Sequence, residues 1–387
     1  MWCCTQVGFT VTPNQILGDC FACDGAAMAT SDYAHRAKAT LFWAILFCLA
    51  SQVGLALYVE IRCADFADPD FGIRLTLLRR ALAASPGRPL LVALGSSRTS
   101  DGFATDALQA RQSDPAAPLT FNMGIQGTGP FKELLCLRRL LHAGIRPQSV
   151  VIEVLPGLLN VESEAIHRAD YLPQDTVYRK DLELCRRYMP ERAWSYERQW
   201  LLGEFFPGYS RRLLLLQQFA YDWLPPDVSA AIANLRSILT PLGWKPNPWQ
   251  GDPYLQGVAL ARRTYAPLLK YDAIPETTDR ILRELLTLCR SEHIHVAGLV
   301  AMPEGRSFRA LYAPVTDQVV RQYLSSLAAD YGTNFIDARD WIDDQYFFDG
   351  HHLLRKGAEH FTARLWRKIS SPSAREDPTA DAIMARR

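Results

Sequence analysis

Two short stretches carry residue types suited to covalent chemistry. FFDGHHLLRKGAEHF, residues 347–361, holds Asp349, a glycine and two adjacent histidines, while LLVALGSSRTS, residues 90–100, ends an apolar run in Gly95, Ser96 and Ser97. A serine hydroxyl is a weak nucleophile until a base takes its proton, an acid orients that base, and N–H donors await the oxyanion. If residues 349–352 open a helix, Asp349 and His352 share one side of the first turn, and His351 points roughly 160° away from Asp349. That geometry makes His352 the base and leaves His351 a neighbouring polar contact. The competing reading is an Asp N-cap followed by two surface histidines.

Groups that must meet need a scaffold, and in open α/β sheets they gather at the carboxyl ends of strands. RPLLVALGSSRTSDGF reads as a buried strand running into a Gly-Ser turn and a helix start. Further strands are read in APLTFNMGIQGTGP, SVVIEVLPG, HIHVAGLVAMPEG and TNFIDARDW, with amphipathic helices over 131–144, 275–291, 315–330 and 353–369. The alternation predicts an α/β fold, a three-layer α/β/α (flavodoxin-like) parallel sheet of about five strands. Residues 158–272 are too long for one connection and predict a helical insertion, with SRRLLLLQQFAYDWL helical and WKPNPWQGDP a break. The insertion's aromatic residues either line a groove or pack its own core.

The chain has 387 residues, 48% of them hydrophobic and 21% charged, so a large buried core is expected. A net charge of +1 with no basic stripe argues against a nucleic-acid partner. Residues 39–59, ATLFWAILFCLASQVGLALYV, lack charge and are long enough to cross a hydrocarbon core of about 30 Å. His35, Arg36 and Lys38 precede this run, and Glu60, Asp65, Asp68 and Asp70 follow it with only Arg62 among them. The positive-inside rule then places 1–38 in the cytoplasm and the body outside. A cleaved signal peptide is the alternative, although the run exceeds the usual apolar region of about 7–15 residues. Met28 offers another translation start. Residues 60–87 read as a connector, 88–369 as the globular domain and 370–387 as a loose tail.

LGSSRTS, NMGIQGTG and DGHH, in that order and at those places, resemble the SGNH (GDSL-like) hydrolase superfamily. The likeness is to its membrane-tethered branches, similar to teichoic-acid D-alanylation and alginate O-acetylation proteins. It covers about 88–157 and 273–369 and leaves out the insertion. It implies Ser97 as nucleophile, in a Gly95-Ser96-Ser97 motif with serine where aspartate is commoner, and Asp349 with His352 as the D-x-x-H pair. It implies an oxyanion hole from the Ser97 N–H and Gly124, with Asn122 as a substitute for the G-x-N-D motif. That motif is missing, since LPGLLN spaces Gly157 and Asn160 differently. The expected activity is esterase or O-acyltransferase chemistry on an acylated envelope polysaccharide or polymer, with no cofactor and no metal. A multispanning acyl-transfer partner is implied for the transfer case.

Other features are weaker. CFAC, residues 20–23, has metal spacing without a second pair, and His293 with His295 lacks a third ligand. Cys136, Cys185 and Cys289 read as core residues. Arg98 reads as an exposed helix-start arginine. Glu153, inside VVIEVLP, either supports the site or lies near the strand end. A catalytically inactive scaffold for glycan binding is the main rival. A nucleotide enzyme is disfavoured because neither a GxxxxGK[ST] nor a GxGxxG pattern occurs.

Overall fold

The computed structural model describes residues 24–59, 68–112, 114, 117–160, 172–173, 176–250 and 254–370. The CFAC cysteines, the first part of the connector and the tail beyond 370 lie outside the described residues. The five apolar runs form five strands, β1 (Leu90–Gly95), β2 (Leu119–Gly124), β3 (Ser149–Glu153), β4 (His295–Ala301) and β5 (Phe335–Asp337). They build one sheet in the order β2-β1-β3-β4-β5, every pairing parallel. This is the flavodoxin-like order, in which the chain reverses direction between β1 and β3 and leaves a crevice at their carboxyl ends.

Alternation along the strands feeds two cores. Val92, Leu94, Phe121, Met123 and Ile152 face the helices Pro130–His142, Glu276–Ser291 and Pro314–Tyr331. Leu91, Ala93 and Val151 face the other way, toward Phe103, just past the helix Ser97–Gly102, and toward Phe361 and Leu365 on the helix Arg355–Ser370. Side chains covered on both sides explain why these strands read as continuous apolar runs. Cys136, Cys185 and Cys289 are buried in the first core, and burial pushes each thiol up to about 12.

The apolar run lies in a helix, Asp24–Tyr58, whose stretch Tyr33–Tyr58 is 26 residues long and apolar enough to cross a membrane. The chain divides into two compact units between Leu55 and Ala56. Within the second unit, the connector holds the helix Pro69–Ala84, and the Asp68 carboxylate accepts a hydrogen bond from Phe71 N at 3.2 Å. It is more than a connector, because Phe71, Leu75 and Leu78 are buried in the first core and Arg74 is buried with them.

The insertion is helical, with segments Leu182–Tyr188, Pro190–Phe205, Pro207–Ser210, Arg212–Phe219, Pro226–Ile238 and Leu255–Tyr265. Proline opens three of them, where its missing N–H leaves no intrahelical bond unmade. Residues 240–245 then lie along β2 and the helix Ser97–Gly102. Asn122 N donates to Leu242 O at 2.9 Å and Lys245 N to Ser100 O at 3.0 Å. Gly243, with φ of +80°, passes so close that a Cβ there would meet Asn122 O at 2.2 Å.

Candidate active site

The first functional element is the turn at the end of β1. Ser96 caps the helix Ser97–Gly102, its Oγ accepting from Arg98 N at 3.1 Å, so Ser97 stands at the first helical position. There its N–H has no carbonyl of its own helix to reach. Beneath the turn lies the Glu153 carboxylate, 3% exposed at the end of β3. It accepts from Ser96 N at 2.7 Å, Ser96 Oγ at 2.9 and 3.0 Å, Thr99 Oγ1 at 2.6 Å and Thr99 N at 3.3 Å. Glu153 therefore both ends β3 and supports the Ser96–Thr99 turn, so the two readings its sequence position left open hold together. The geometry also explains serine at 96, since an aspartate would set a second carboxylate against Glu153. Gly95 is required for the same reason, as a Cβ there would meet Thr99 Oγ1 at 2.2 Å and Glu153 Oε2 at 2.4 Å.

The second element follows β5. Ser97 Oγ lies 2.8 Å from His352 Nε2, and His352 Nδ1 lies 2.8 Å from Asp349 Oδ2. The three side chains expected to act together are brought into one hydrogen-bonded line. The reason differs from the helical one, because the last helix starts only at Arg355. Residues 349–352 form a turn in which Asp349 Oδ1 accepts from His351 N at 3.2 Å and His352 N at 2.9 Å, and Gly350 takes a φ of +89°. Aspartate favours such turns because its side chain can bond the backbone two residues on.

His351 does not point away from Asp349. Its Nδ1 lies 3.1 Å from Asp349 Oδ1, off the line of a hydrogen bond, and its ring stacks on Phe308 at 5.0 Å. Burial, outweighing Asp349, lowers its pKa to about 4. Burial opposes the charge of Asp349, yet the two imidazoles hold that carboxyl well below the usual carboxylate range. Only His352 reaches Ser97. Among the described residues Asp349, His351 and His352 are also the group close enough to share a cation, but the Asp349 oxygens already accept the bonds just given.

Three expectations need correction. Gly124 is not a free oxyanion donor, since its N–H donates to Asn122 Oδ1 at 2.9 Å. A Cβ at Gly124 would meet Ser100 N at 2.4 Å, so the glycine serves close packing. Asn122 is buried beneath the helix, its Nδ2 donating to Thr99 O and Phe103 O at 2.8 Å, and it has no donor left for an oxyanion. Arg98 is 2% exposed, its Nη2 donating to Met302 O at 2.9 Å and Pro303 O at 3.0 Å, with Glu304 at 3.2 Å from Nη1. It ties the helix Ser97–Gly102 to the end of β4. His295, by contrast, begins β4 at the amino edge of the sheet, away from the strand ends that carry this site.

An open groove of about 590 Å³ runs past Ser97 and His352, lined also by Gln126, Lys245, Trp249 and Phe348. Lys245 Nζ lies 3.0 Å from the Asp101 carboxylate, and burial raises the Asp101 pKa against that cation. Phe348 stacks on Tyr254 at 5.3 Å and 13°, and meets Trp249 edge to face at 5.3 Å. Of the insertion's aromatics Trp249 lines this groove, while Tyr188 and Tyr196 are buried in the first core, so both uses read from the sequence occur. Comparison with protein-family models and with curated proteins gives no match, so the reading of the site rests on its geometry.

Proposed function

We propose that this chain is an SGNH-type serine esterase or O-acyltransferase that works through an acyl-Ser97 intermediate. The observation that carries the reading is the line Ser97 Oγ, His352 Nε2, His352 Nδ1, Asp349 Oδ2, with 2.8 Å at each hydrogen bond. His352 takes the Ser97 proton as Oγ adds to the ester carbonyl, and the carbonyl electrons move to oxygen. The Ser97 N–H stabilises that oxyanion, and Gln126, which lines the groove, is the side chain to test as a second donor. Collapse breaks the ester bond, and His352 returns the proton to the departing alkoxide. Water or a sugar hydroxyl then attacks acyl-Ser97 by the same steps in reverse.

The substrate class we infer is an acylated envelope polysaccharide or related polymer. An open groove suits a long chain, and the C–H faces of sugars pack on aromatic planes such as Trp249 and Phe348. The apolar stretch Tyr33–Tyr58 and the charges around it support a single membrane anchor with the N-terminus cytoplasmic and the domain periplasmic or at the cell surface. A multispanning protein that delivers acyl groups is the partner this placement calls for if the reaction is transfer.

One observation favours the rival reading, a glycan-binding scaffold without catalysis: the N–H of Gly124 is already bonded. Labelling with a fluorophosphonate separates the two. The purified chain should label and its Ser97→Ala variant should not; absence of labelling in the folded parent rejects the enzyme reading.

A further inference from the structure

Nine large apolar side chains between Trp194 and Trp223 are exposed, against five from Trp249 onward, among the described residues. On the helix Pro190–Phe205 the exposed ones form a stripe. At about 100° per residue, Trp194, Leu201 and Phe205 fall within roughly 40° of one another, while the buried Tyr196 and Gly203 fall on the opposite face. The short helices that follow extend the stripe with Tyr209, Phe219 and Trp223, each at least 67% exposed. The Phe219 ring lies 5.3 Å from the ring of Tyr58, the last residue of the apolar helix. The patch therefore begins where the chain would leave a bilayer.

We propose that residues 194–223 lie in the interface of the membrane that the apolar helix enters, as an amphipathic surface-bound segment. This rests on reading Tyr33–Tyr58 as a membrane anchor. The occupant is lipid rather than a second protein because the Phe219–Tyr58 contact sets the patch beside the residue at which the apolar helix ends. Its composition agrees, with Trp and Tyr at headgroup level and Phe and Leu beneath. Arg212 sits 4.8 Å over the Tyr209 ring, as a cation does when its stem lies along apolar surface and its head reaches water. Residues 190–223 hold four arginines and four acidic residues, so apolar burial and not charge supplies the attraction.

Photo-crosslinking of the full chain tests this. p-Benzoylphenylalanine replaces Phe205 or Trp223, with Val53 in the apolar helix and the exposed Val315 as references. Each variant is checked for folding by its thermal transition and reconstituted in vesicles of phosphatidylethanolamine and phosphatidylglycerol. Positions 205 and 223 should give phospholipid adducts within about twofold of position 53 and on the order of tenfold above position 315. Adducts at 53 with background yield at 205 and 223 overturn the proposal while leaving the anchor intact. Background yield at 53 removes the anchor reading and this inference with it. Crosslinks from 205 and 223 to a protein in native membranes, with none to lipid in vesicles, assign the surface to a partner and also overturn it.

Discussion

Removing the carboxylate beneath the nucleophile turn tests how the site is held. Glu153→Ala strips the acceptor from two backbone N–H groups and two hydroxyls, all buried. Hydroxyls rotate toward other acceptors, but the Ser96 N–H, 2.7 Å from the carboxylate, is fixed by the strand and cannot. An unsatisfied buried N–H costs about 1–3 kcal/mol, and the Thr99 N–H and lost packing bring the expected loss to about 3–5 kcal/mol. Glu153→Gln keeps the shape. Its amide oxygen can take the Oε2 position while its nitrogen faces Ser96 Oγ, so only the charge-assisted part of the bonds is lost, about 2 kcal/mol. Urea denaturation in detergent gives both values, and the rate of fluorophosphonate labelling reports the position of Ser97. A displacement of about 1 Å in Ser97 should slow labelling on the order of 10²-fold in the Ala variant, with a smaller loss in Gln. An Ala variant as stable and as reactive as the parent, or a Gln variant worse than Ala, would refute the cradle.

His352→Ala should slow labelling on the order of 10³-fold or more, while His351→Asn should cost far less, because only His352 reaches Ser97; the reverse order assigns the base to His351. Arg74→Met should lower stability by about 3 kcal/mol in the same urea assay, since Asn122 O, Gly243 O and Ser100 Oγ all lose their buried donor. The third outcome concerns pH. His351 has a folded pKa lowered to about 4 from 6.5, so the unfolded chain binds its proton first as pH falls. Stability is then fully present above pH 6.5 and declines by about 3 kcal/mol down to pH 4, and the curve of His351→Asn should be flatter across that window. The depressed Asp349 carboxyl acts in the same direction but only below its ordinary pKa of about 4.

The sheet was legible because each strand is a short apolar run closed by glycine, acid or proline, and the period of its neighbours is helical. The Asp349–His352 pair was legible for a different reason, since both partners lie within one turn and any compact turn brings them close. The helical argument for that pair was not the operative one, and it misjudged His351, whose ring is placed by Phe308 and Tyr265 from elsewhere in the chain. The oxyanion residues were misread because the bond from Gly124 N to Asn122 Oδ1 is a side-chain matter that strand pattern does not encode. Arg98 and Glu153 have partners far away in sequence, at 302–304 and at 96–99. A signal was present nonetheless: an acid ending an otherwise apolar strand at the point where strand order reverses.

Arg74 joins parts of the chain that sequence keeps apart. Its guanidinium donates to Asn122 O at 3.0 Å, Gly243 O at 2.6 Å and Ser100 Oγ at 2.9 Å, and so clasps β2, the 240–245 segment of the insertion and the helix Ser97–Gly102 from the helix Pro69–Ala84. Lys245, which walls the groove, and Trp244, which is buried in the second core, hang from the helix Ser97–Gly102 through Ser100 O and Asp101 O. The insertion is consequently not a cassette. Exchanging residues 176–250 for those of another protein would remove a bracket of the helix Ser97–Gly102 as well, and a workable chimera must keep 240–245.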